Sequence, residues 1–469
     1  MTPGANDLCV FAVKRGFLEK REIYCNPLYP FYLDLVARYK NSKYASGVIG
    51  DYVEVNPKTD CSRLTDETMV SFVPMPNVQE KNNVVTYDMV PYKEVKKGFT
   101  VFKKGDLIWA KITPCMQNGK SCIVDDMPIE IGFGSTEFHV IRKRDNRLYM
   151  PYLWAILSNE GVLKAAQATF SGSAGQQRVS ANFIEEFPAV IPEYKTQYRL
   201  VSSLEEKLSR FNDKNKRADI IFADMSKMIS DYLDIKEESD YKPSIFAASL
   251  RNAENSRIDP EFHNPLYMRR IKDIKRMNYK TLGDVVELST ETWNQADYFD
   301  QDFPYIEIGN VKLKENDYSV TKVSVVSAPS RARMVVRNGD IIVSTTRPHR
   351  GAIATIACND DEIQIASTGF CVLRKLKCTD VLKEYLQWIL LHDYVLLQML
   401  QRSSGGNYPA ITAEELKKIV IPIPEIEIQR QICNEANQRK ETANKLRQVA
   451  EQEWTEAKAQ FERELLGES

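Results

Sequence analysis

The chain has few of the features that mark membrane, secreted or metal-binding proteins. No stretch approaches the ~20 apolar residues of a membrane span, and the opening "MTPGANDLCVFAVKRG" lacks the continuous apolar core of a signal peptide. The nine cysteines form no Cys-x-x-Cys pair, and the four histidines show no His/Cys ligand spacing. We therefore expect a cytoplasmic protein with reduced thiols and no metal site.

Catalytic motifs are also missing. "NPLY" at 26–29 and 264–267 approaches the Asn-Pro-Pro-Tyr of adenine methyltransferases, but its third residue is leucine and no glycine-rich strand-to-helix turn precedes it. "GKS" at 119–121 resembles the end of a phosphate-binding loop, yet proline stands at position 114, where that motif requires glycine. No nuclease-like cluster of carboxylates and lysine is recognisable. These absences predict a non-catalytic protein that binds no cofactor itself.

The net charge of −1 does not indicate a nucleic-acid binder, but the local charge is uneven. Residues 269–280 contain six basic side chains and one acidic one, and residues 331–350 contain five arginines and one aspartate. Such clusters are typical of surfaces that contact phosphates. Ordinary solvated charge explains them equally well, so charge alone leaves both alternatives open.

The most informative feature is an internal duplication. "VIPEYKTQ" (190–197) corresponds to "PIPEIEIQ" (422–429), "STEFHVIR" (135–142) to "STGFCVLR" (367–374), and "GDLIWAKITP" (105–114) to "GDIIVSTTRP" (339–348), all at offsets of 232–234 residues. The order is the same in both halves. Because a repeat of this length is too long for a solenoid, each copy must be a domain with its own core. The mixture of short apolar runs, turns and helical stretches predicts an α+β fold.

A long helix is predicted after each copy. Pro192 and Pro424 suit the first helical turn, and Glu193 and Glu425 would then lie at the positive end of the helix dipole. Inward positions of the first helix alternate in steps of three and four, which is typical of a coiled-coil seam: Val201, Leu204, Leu208, Phe211, Asn215, Ala218, Phe222, Met225, Ile229 and Tyr232. Asn215 would be a buried polar residue that fixes the register.

The second helix offers a face of mostly small residues: Ala436, Ala443, Leu446, Ala450, Ala457 and Phe461. Each helix alone would expose an apolar side, so we expect the two to pack as an antiparallel coiled coil. The two halves would then be related by a pseudo-two-fold axis. Helices of roughly 40 residues would form a rod of about 60 Å that separates the two domains.

The arrangement resembles the specificity subunit of type I restriction–modification enzymes. The resemblance rests on "GDLIWAK"/"GDIIVST", "SGSAGQQRVS"/"SSGGNYPAIT", "IPEYKTQYRLV"/"IPIPEIEIQRQI" and the segment "RIDPEFHNPLYM", and it covers nearly the whole chain. The first half opens with "FLEKREIYCNPLY", a poor match to the corresponding segment of the second half. Related methylation-based defence systems use similar subunits, and the sequence does not separate these alternatives.

The resemblance implies a domain division and a set of partners. It assigns 1–192 and 238–423 as target recognition domains, and 193–237 and 424–469 as the helices of the spacer. The expected partners are double-stranded DNA, two DNA adenine methyltransferase subunits and, in some systems, motor-nuclease subunits. S-adenosylmethionine is expected on the methyltransferase, not on this chain. Because the two halves have diverged, we expect them to read two different half-sites, as symmetric dimers read two equal ones.

Candidate DNA-contacting residues are polar side chains beside strand ends and in the Ser/Gly-rich loops. In the first half they are Lys111, Thr113, Gln117, Asn118, Lys120, Gln176, Gln177 and Arg178, and in the second half Thr345, Thr346, Arg347, His349, Arg350, Asn407 and Tyr408. A solvated turn at 344–350 and a flexible connector at 171–178 are the simpler alternatives.

One competing function stays open at this point. Two duplicated domains could serve as a scaffold that holds two partner proteins, with only incidental DNA contact. That hypothesis leaves unexplained why basic and polar loop residues recur at equivalent places in both halves. The sequence does not reveal the DNA target, the spacer length, or which side chains contact bases and which contact phosphates.

Overall fold

The computed structural model describes residues 28–172, 176–235, 245–247, 257, 259–260, 262–294 and 302–466. Contacts divide the chain into two compact units. The first unit comprises residues 1–215 and 448–469, and the second comprises residues 216–447. Each unit therefore contains one globular part and a segment of each long helix. Cys9, Cys25, most of the divergent opening segment and the predicted boundary at 237/238 lie outside the described residues.

The first unit alternates short strands and helices. Its helices are α1 (Tyr29–Lys40), α2 (Tyr92–Val95), α3 (Met150–Leu157), α4 (Glu160–Gln167) and α5 (Ala181–Glu186). Its strands are β1 (Ala45–Val48), β2 (Val53–Val55), β3 (Met69–Val73), β4 (Asp88–Pro91), β5 (Thr100–Lys103), β6 (Leu107–Ala110), β7 (Ser121–Ile123), β8 (Ile131–Gly134), β9 (Phe138–Lys143) and β10 (Pro188–Val190). The long helix α6 (Tyr194–Ala223) begins in this unit.

The second unit follows a similar order of elements, with two further short strands, β14 (Val311–Lys312) and β15 (Asp317–Tyr318). Its helices are α7 (Met225–Tyr232), α8 (Pro265–Lys275), α9 (Leu282–Val285), α10 (Lys383–Ile389), α11 (Asp393–Arg402) and α12 (Ala413–Lys417). Its strands are β11 (Tyr279–Thr281), β12 (Val286–Ser289), β13 (Asp302–Ile306), β14 (Val311–Lys312), β15 (Asp317–Tyr318), β16 (Thr321–Ser324), β17 (Ala332–Arg337), β18 (Ile341–Ser344), β19 (Ile353–Thr355), β20 (Ile363–Ser367), β21 (Phe370–Leu376) and β22 (Val420–Pro422). The helix α13 (Ile426–Leu466) begins here.

The sheets of the two units have the same strand order. The first unit contains β2-β9-β6-β7 and β4-β3-β8-β5, and the second contains β12-β21-β18-β19 and β16-β13-β20-β17. In each second sheet one pair is parallel, β3 with β8 and β13 with β20. The strands predicted after "GD" are β6 and β18, and every residue in both is buried. The α+β prediction is confirmed.

An ion pair joins two of the repeated motifs in each unit. The Asp106 carboxylate accepts from Arg142 Nε and Nη2 at 2.9 and 2.7 Å, and Asp340 accepts from Arg374 Nε and Nη2 at 3.0 and 2.9 Å. Both aspartates also cap the preceding turn, accepting from the backbone N–H of Lys103 and Arg337. The glycine before each aspartate has φ near +80°, a backbone conformation that glycine adopts at little cost. In each unit the "GD" motif is therefore held by the arginine that ends "STEFHVIR" or "STGFCVLR".

The core of each unit includes its segments of the long helices. In the first unit Leu204 and Leu208 of α6 and Trp454 of α13 lie in the same apolar cluster as α3. In the second unit Phe222 and Ala443 join the cluster formed around α10. Helix α3 is buried almost all round, as its apolar composition predicts. Burying these helix faces supplies about 25 cal/mol per Å² of apolar surface.

Within each unit the two helix segments run antiparallel. In the first unit Arg199 pairs with Glu464 at 3.8 Å and Lys214 with Glu453 at 2.7 Å, so later residues of α6 contact earlier residues of α13. In the second unit Asp219 pairs with Arg447 at 2.7 Å, and the Tyr232 hydroxyl donates to Glu435 at 3.1 Å. The predicted inward residues of α6 and α7 are buried, with the exceptions of Asn215 and Tyr232, which are half-buried.

The structure corrects three details of the helix predictions. The helix predicted over 193–237 has a turn at Asp224 that separates α6 from α7, although Asp224 N–H still donates to Ile220 O and Asp224 O still accepts from Met228 N–H. Asn215 does not fix the register, since its Nδ2 donates to the Phe211 carbonyl one turn earlier in its own helix. Pro192 and Pro424 are not first-turn residues, since the helices begin at Tyr194 and Ile426.

The repeated glutamine explains where the prolines lie. Gln197 is fully buried, and its Nε2 donates to the carbonyl oxygens of Pro192 and Arg147 while its Oε1 accepts from Tyr149 N–H. Gln429 makes the same three bonds in the second unit, to Pro424, Asp380 and Leu382. The proline must stay outside the helix for its carbonyl to face this amide. The repeated Pro-Glu…Gln motif thus fastens each long helix to the loop that precedes α3 or α10.

Within the described part of the chain, no helix is long and apolar enough to cross a membrane.

Candidate nucleic-acid interface

In the second unit the two groups of candidate residues lie side by side. The segment after β18 and the Ser/Gly-rich loop are joined by backbone hydrogen bonds from Arg347 N–H to Pro409 O at 2.7 Å and from Ile411 N–H to Thr345 O at 2.9 Å. A further bond runs from Thr345 N–H to Gly369 O at 2.7 Å. Residues about 60 positions apart in sequence therefore form one surface.

Arg347 occupies an unusual position on this surface. Its φ of +49° lies in the left-handed region, which costs roughly 1 kcal/mol or more for a residue other than glycine. Its guanidinium donates from Nε and Nη2 to the Asn407 carbonyl at 3.2 and 2.9 Å. It also lies over the Tyr408 ring, 4.2 Å from the centroid, and that ring is 69% exposed. The Arg347–Tyr408 stack is thus held in place at the surface.

The other candidates in this unit differ in exposure. Arg350 and Asn407 are exposed, whereas His349 is half-buried. Burial, and then the neighbouring charges of Arg350 and Arg347, lower the pKa of His349, so its neutral form is favoured. Thr345 donates its hydroxyl to Gly369 O at 2.9 Å, and the carbonyl of Thr346 accepts from Ser344 Oγ. The threonines therefore brace the loop, and the exposed side chains lie at its outer edge.

The first unit holds its candidates on the same scaffold. Thr113 N–H donates to Gln177 O at 3.0 Å, Val179 N–H to Lys111 O at 3.0 Å, and Lys111 N–H to Glu137 O at 2.9 Å. These three bonds correspond, at offsets of 232–234 residues, to those of Arg347, Ile411 and Thr345 in the second unit. The backbone framework is shared while the side chains differ.

Several candidates in the first unit are already paired within the protein. Arg178 forms two hydrogen bonds with Glu137, at 2.7 and 2.9 Å, which lower the pKa of that carboxyl group. Asn118 donates to Glu80 at 2.9 Å, and Lys120 donates to the Met75 carbonyl at 3.3 Å. These bonds give the three side chains structural roles, and any DNA contact would have to share or replace them.

The remaining first-unit candidates are more accessible. Gln176 and Gln117 are exposed. Lys111 lines a surface cleft of about 450 Å³ together with Asn56, Lys58 and Thr59. The loop candidates Gln176 and Gln177 adjoin residues 173–175, which lie outside the described part of the chain. No group of three or more metal-ligating side chains occurs among the described residues.

Sequence reasoning missed two equivalent hairpins, one in each unit, that support the candidate surfaces. Lys81 and Lys314 have φ near +60°, and each donates its N–H to the loop carrying the candidates, at Gly119 O and Gly351 O. Their side chains pair with Glu160 and Asp393, at 3.4 and 2.7 Å. The signal was present in "KNN" (81–83) and "KEN" (314–316), which fall at the same offset as the recognised repeats.

Asn83 and Asn316 complete the hairpins. Each accepts a backbone N–H of the strand that follows the candidate loop, from Ile123 and Thr355, both at 2.8 Å. Both asparagines have φ near +50°, a region that asparagine tolerates better than most residues. The hairpins thus fix the far side of each candidate surface in the same way.

Comparison with known proteins adds an independent observation. Residues 274–435 match the family model described as the type I restriction modification DNA specificity domain. The chain is 38% identical over 149 residues to the specificity subunit of the type I restriction enzyme EcoAI of Escherichia coli. This match covers 32% of this chain and 25% of that protein. It is 34% identical over 156 residues to the EcoEI specificity subunit of the same species, 33% of this chain and 26% of that protein.

The chain thus spans about a quarter of the length of these curated relatives. Among solved structures, the HsdS subunit from Thermoanaerobacter tengcongensis is 16% identical, with a TM-score of 0.34 over 90% of this chain and 96% of that chain. A chain from a study of complex assembly and conformational transition of the type I R-M system is 16% identical, with a TM-score of 0.41 over 90% and 97%. The predicted resemblance to type I specificity subunits is confirmed by the matches in sequence.

Proposed function

We propose that this chain, which carries a type I restriction modification DNA specificity domain in residues 274–435, recognises a bipartite, asymmetric DNA sequence and positions DNA adenine methyltransferase subunits on it. The observation that carries the proposal is the shared backbone scaffold of the two candidate surfaces, joined by equivalent hydrogen bonds but bearing different side chains. Two surfaces that share a backbone framework but carry different side chains can recognise two half-sites of different sequence.

The proposed domain organisation follows the repeat. Residues 1–192 and 238–423 are two copies of a target recognition domain, and 193–237 and 424–469 form an antiparallel coiled-coil spacer between them. The identical strand orders and the duplicated Asp–Arg and Gln–Pro contacts support a common origin of the two copies. The antiparallel contacts of α6 and α13 in the first unit, and of α6, α7 and α13 in the second, support the pairing of the helices.

The chain's own contribution is recognition. Exposed cations and amides of the two surfaces bind phosphates and base edges, while the methyltransferase partners supply S-adenosylmethionine and the chemistry. Motor-nuclease subunits belong to the same proposal where the system includes them. Phosphate contacts would make binding strongly dependent on salt.

The experiment is to co-express the chain with the methyltransferase encoded beside it and to map modified adenines in the host genome. The proposal predicts one motif with two specified parts separated by an unspecified spacer. Selection of DNA from a random pool by the purified complex should return the same two parts. A complex that forms and binds DNA without preference, and modifies no specific motif, would support a protein scaffold and contradict the proposal.

A further inference from the structure

The shared scaffold identifies which residues of the two units occupy equivalent positions. The N–H of Thr113 and the N–H of Arg347 donate to equivalent carbonyls, those of Gln177 and Pro409. Thr113 therefore corresponds to Arg347, and the preceding loop residues Gln176 and Tyr408 correspond to each other. We call Thr113 and Gln176 the first pair, and Arg347 and Tyr408 the second pair.

The second pair leaves one edge of the guanidinium open. Nε and one N–H of Nη2 bind the Asn407 carbonyl, so the edge formed by Nη1 and the second N–H of Nη2 stays available. Within the described part of the chain Arg347 forms no salt bridge with a carboxylate. The Tyr408 ring fixes the guanidinium plane, which reduces the entropy lost when that edge binds a ligand.

The charge is arranged differently in the first unit. There the loop arginine, Arg178, is neutralised by Glu137. In the second unit the corresponding positions are Ala410 and Gly369, so neither member of that ion pair is present. The first pair is uncharged: Thr113 Oγ1 accepts from Gln177 N–H at 3.2 Å, and Gln176 is exposed. The two units thus offer different hydrogen-bonding groups at the same backbone positions.

We propose that the second pair reads a guanine in one half-site through the open edge of Arg347, and that the first pair determines a base of the other half-site. Two parallel N–H groups match the O6 and N7 acceptors of guanine in the major groove, and a glutamine amide suits adenine. This proposal rests on the proposed function. It excludes Arg178 as a base reader, although that residue has the same chemical type.

The test compares Arg347→Lys, Tyr408→Phe and Tyr408→Ala in the complete complex, with Arg430→Lys as the matched control. Arg430 is an exposed arginine at the start of α13. Lysine keeps the charge but loses the flat two-donor edge. Arg347→Lys should lower the preference for guanine at one position of one half-site by about 10- to 100-fold. Tyr408→Ala should weaken the same position less, and Tyr408→Phe and Arg430→Lys should preserve the motif.

The readouts are the genomic modification motif and binding to a random DNA pool at two salt concentrations. If wild type shows no sequence preference, the proposed function fails. If wild type has a motif that Arg347→Lys leaves unchanged, or if the variant weakens all sequences equally, Arg347 is not a base reader. Gln176→Ala should alter only the other half-site, and a change in the same half-site as Arg347→Lys would overturn the assignment of the first pair. Thermal unfolding and hydrogen exchange verify that each variant is folded.

Discussion

Gln429 donates from Nε2 to the carbonyl oxygen of Pro424 at 2.8 Å, and the proline lies five positions earlier, just before the start of α13. The same amide also donates to Asp380 O, and its oxygen accepts from Leu382 N–H. Gln197 makes the same bonds in the first unit. A buried amide that satisfies two carbonyls and one N–H ties each long helix to the globular part that precedes it.

This relationship predicts the effect of an isosteric change. Gln429→Glu keeps the shape but places a carboxylate against two carbonyl oxygens, and each lost buried hydrogen bond costs about 1–3 kcal/mol. We expect the free energy of unfolding of the second unit to fall by about 3 kcal/mol or more. Urea denaturation measures the loss, with the exposed Gln448→Glu on the same helix as control. Equal stability of the two variants would contradict the role of the glutamine.

The duplicated Asp–Arg pair supports a second prediction. Asp340 is 1% exposed, and removal of one partner from a buried pair typically costs about 3–5 kcal/mol. Asp340→Asn should therefore destabilise the second unit by about 3 kcal/mol. The exposed Glu427–Arg430 pair, at 3.9 Å, is the matched comparison, and Glu427→Gln should cost at most about 0.5 kcal/mol.

Hydrogen exchange locates the Asp340 effect. Amides of β18 and β21 should exchange faster in Asp340→Asn than in wild type, since Arg374 on β21 keeps Glu291 but loses its charged partner beside β18. Unchanged exchange in both strands, at equal stability, would show that the pair contributes little.

His392 supplies a pH-dependent prediction. It caps α11 by accepting Tyr394 N–H at Nδ1, and its Nε2 donates to Ser230 Oγ at 2.9 Å. Complete burial lowers the pKa of His392 from 6.5 to about 4. The unfolded chain therefore binds more protons than the folded one between these values, and stability falls as the pH drops from about 6.5 to 4. A shift of this size corresponds to about 3 kcal/mol.

The first unit provides the control for this effect. Asn159 occupies the equivalent cap and accepts Gly161 N–H at 2.7 Å without a titrating group. His392→Asn should reduce the loss of stability between pH 7 and pH 4.5, as measured by denaturation at each pH. The same pH dependence in the variant and in wild type would show that another group is responsible.

Local pattern was enough to predict much of the fold. Glycine before aspartate predicted the turns that precede β6 and β18, and the three-four spacing predicted the buried face of α6. The position of Pro192 was wrong because it depends on a hydrogen bond from Gln197, which a helix-start rule does not contain. Asn215 likewise bonds to the Phe211 carbonyl of its own helix, an alternative that the rule for buried seam asparagines does not contain.

The candidate surfaces were predictable only in part, because their assembly depends on contacts between residues distant in sequence. The repeat indicated which segments correspond, but backbone bonds such as Arg347 to Pro409 were needed to bring them together. Sequence could not show that Arg178 is neutralised by Glu137 while Arg347 stacks on Tyr408, because both pairings depend on side chains distant in sequence. The two arginines are distinguished by their partners, a carboxylate for Arg178 and a carbonyl and an aromatic ring for Arg347.

The central claim is that two recognition domains read two half-sites whose separation is set by the helices. The most direct test inserts one heptad beside Asn215 and another beside Leu446, which keeps the apolar seam in phase. Seven residues lengthen each helix by about 10 Å, close to three base pairs at ~3.4 Å each. Mapping of modified adenines should show both half-site sequences unchanged and the unspecified spacer longer by about three base pairs. An inserted variant that is active and modifies the original motif with its original spacer would contradict the claim.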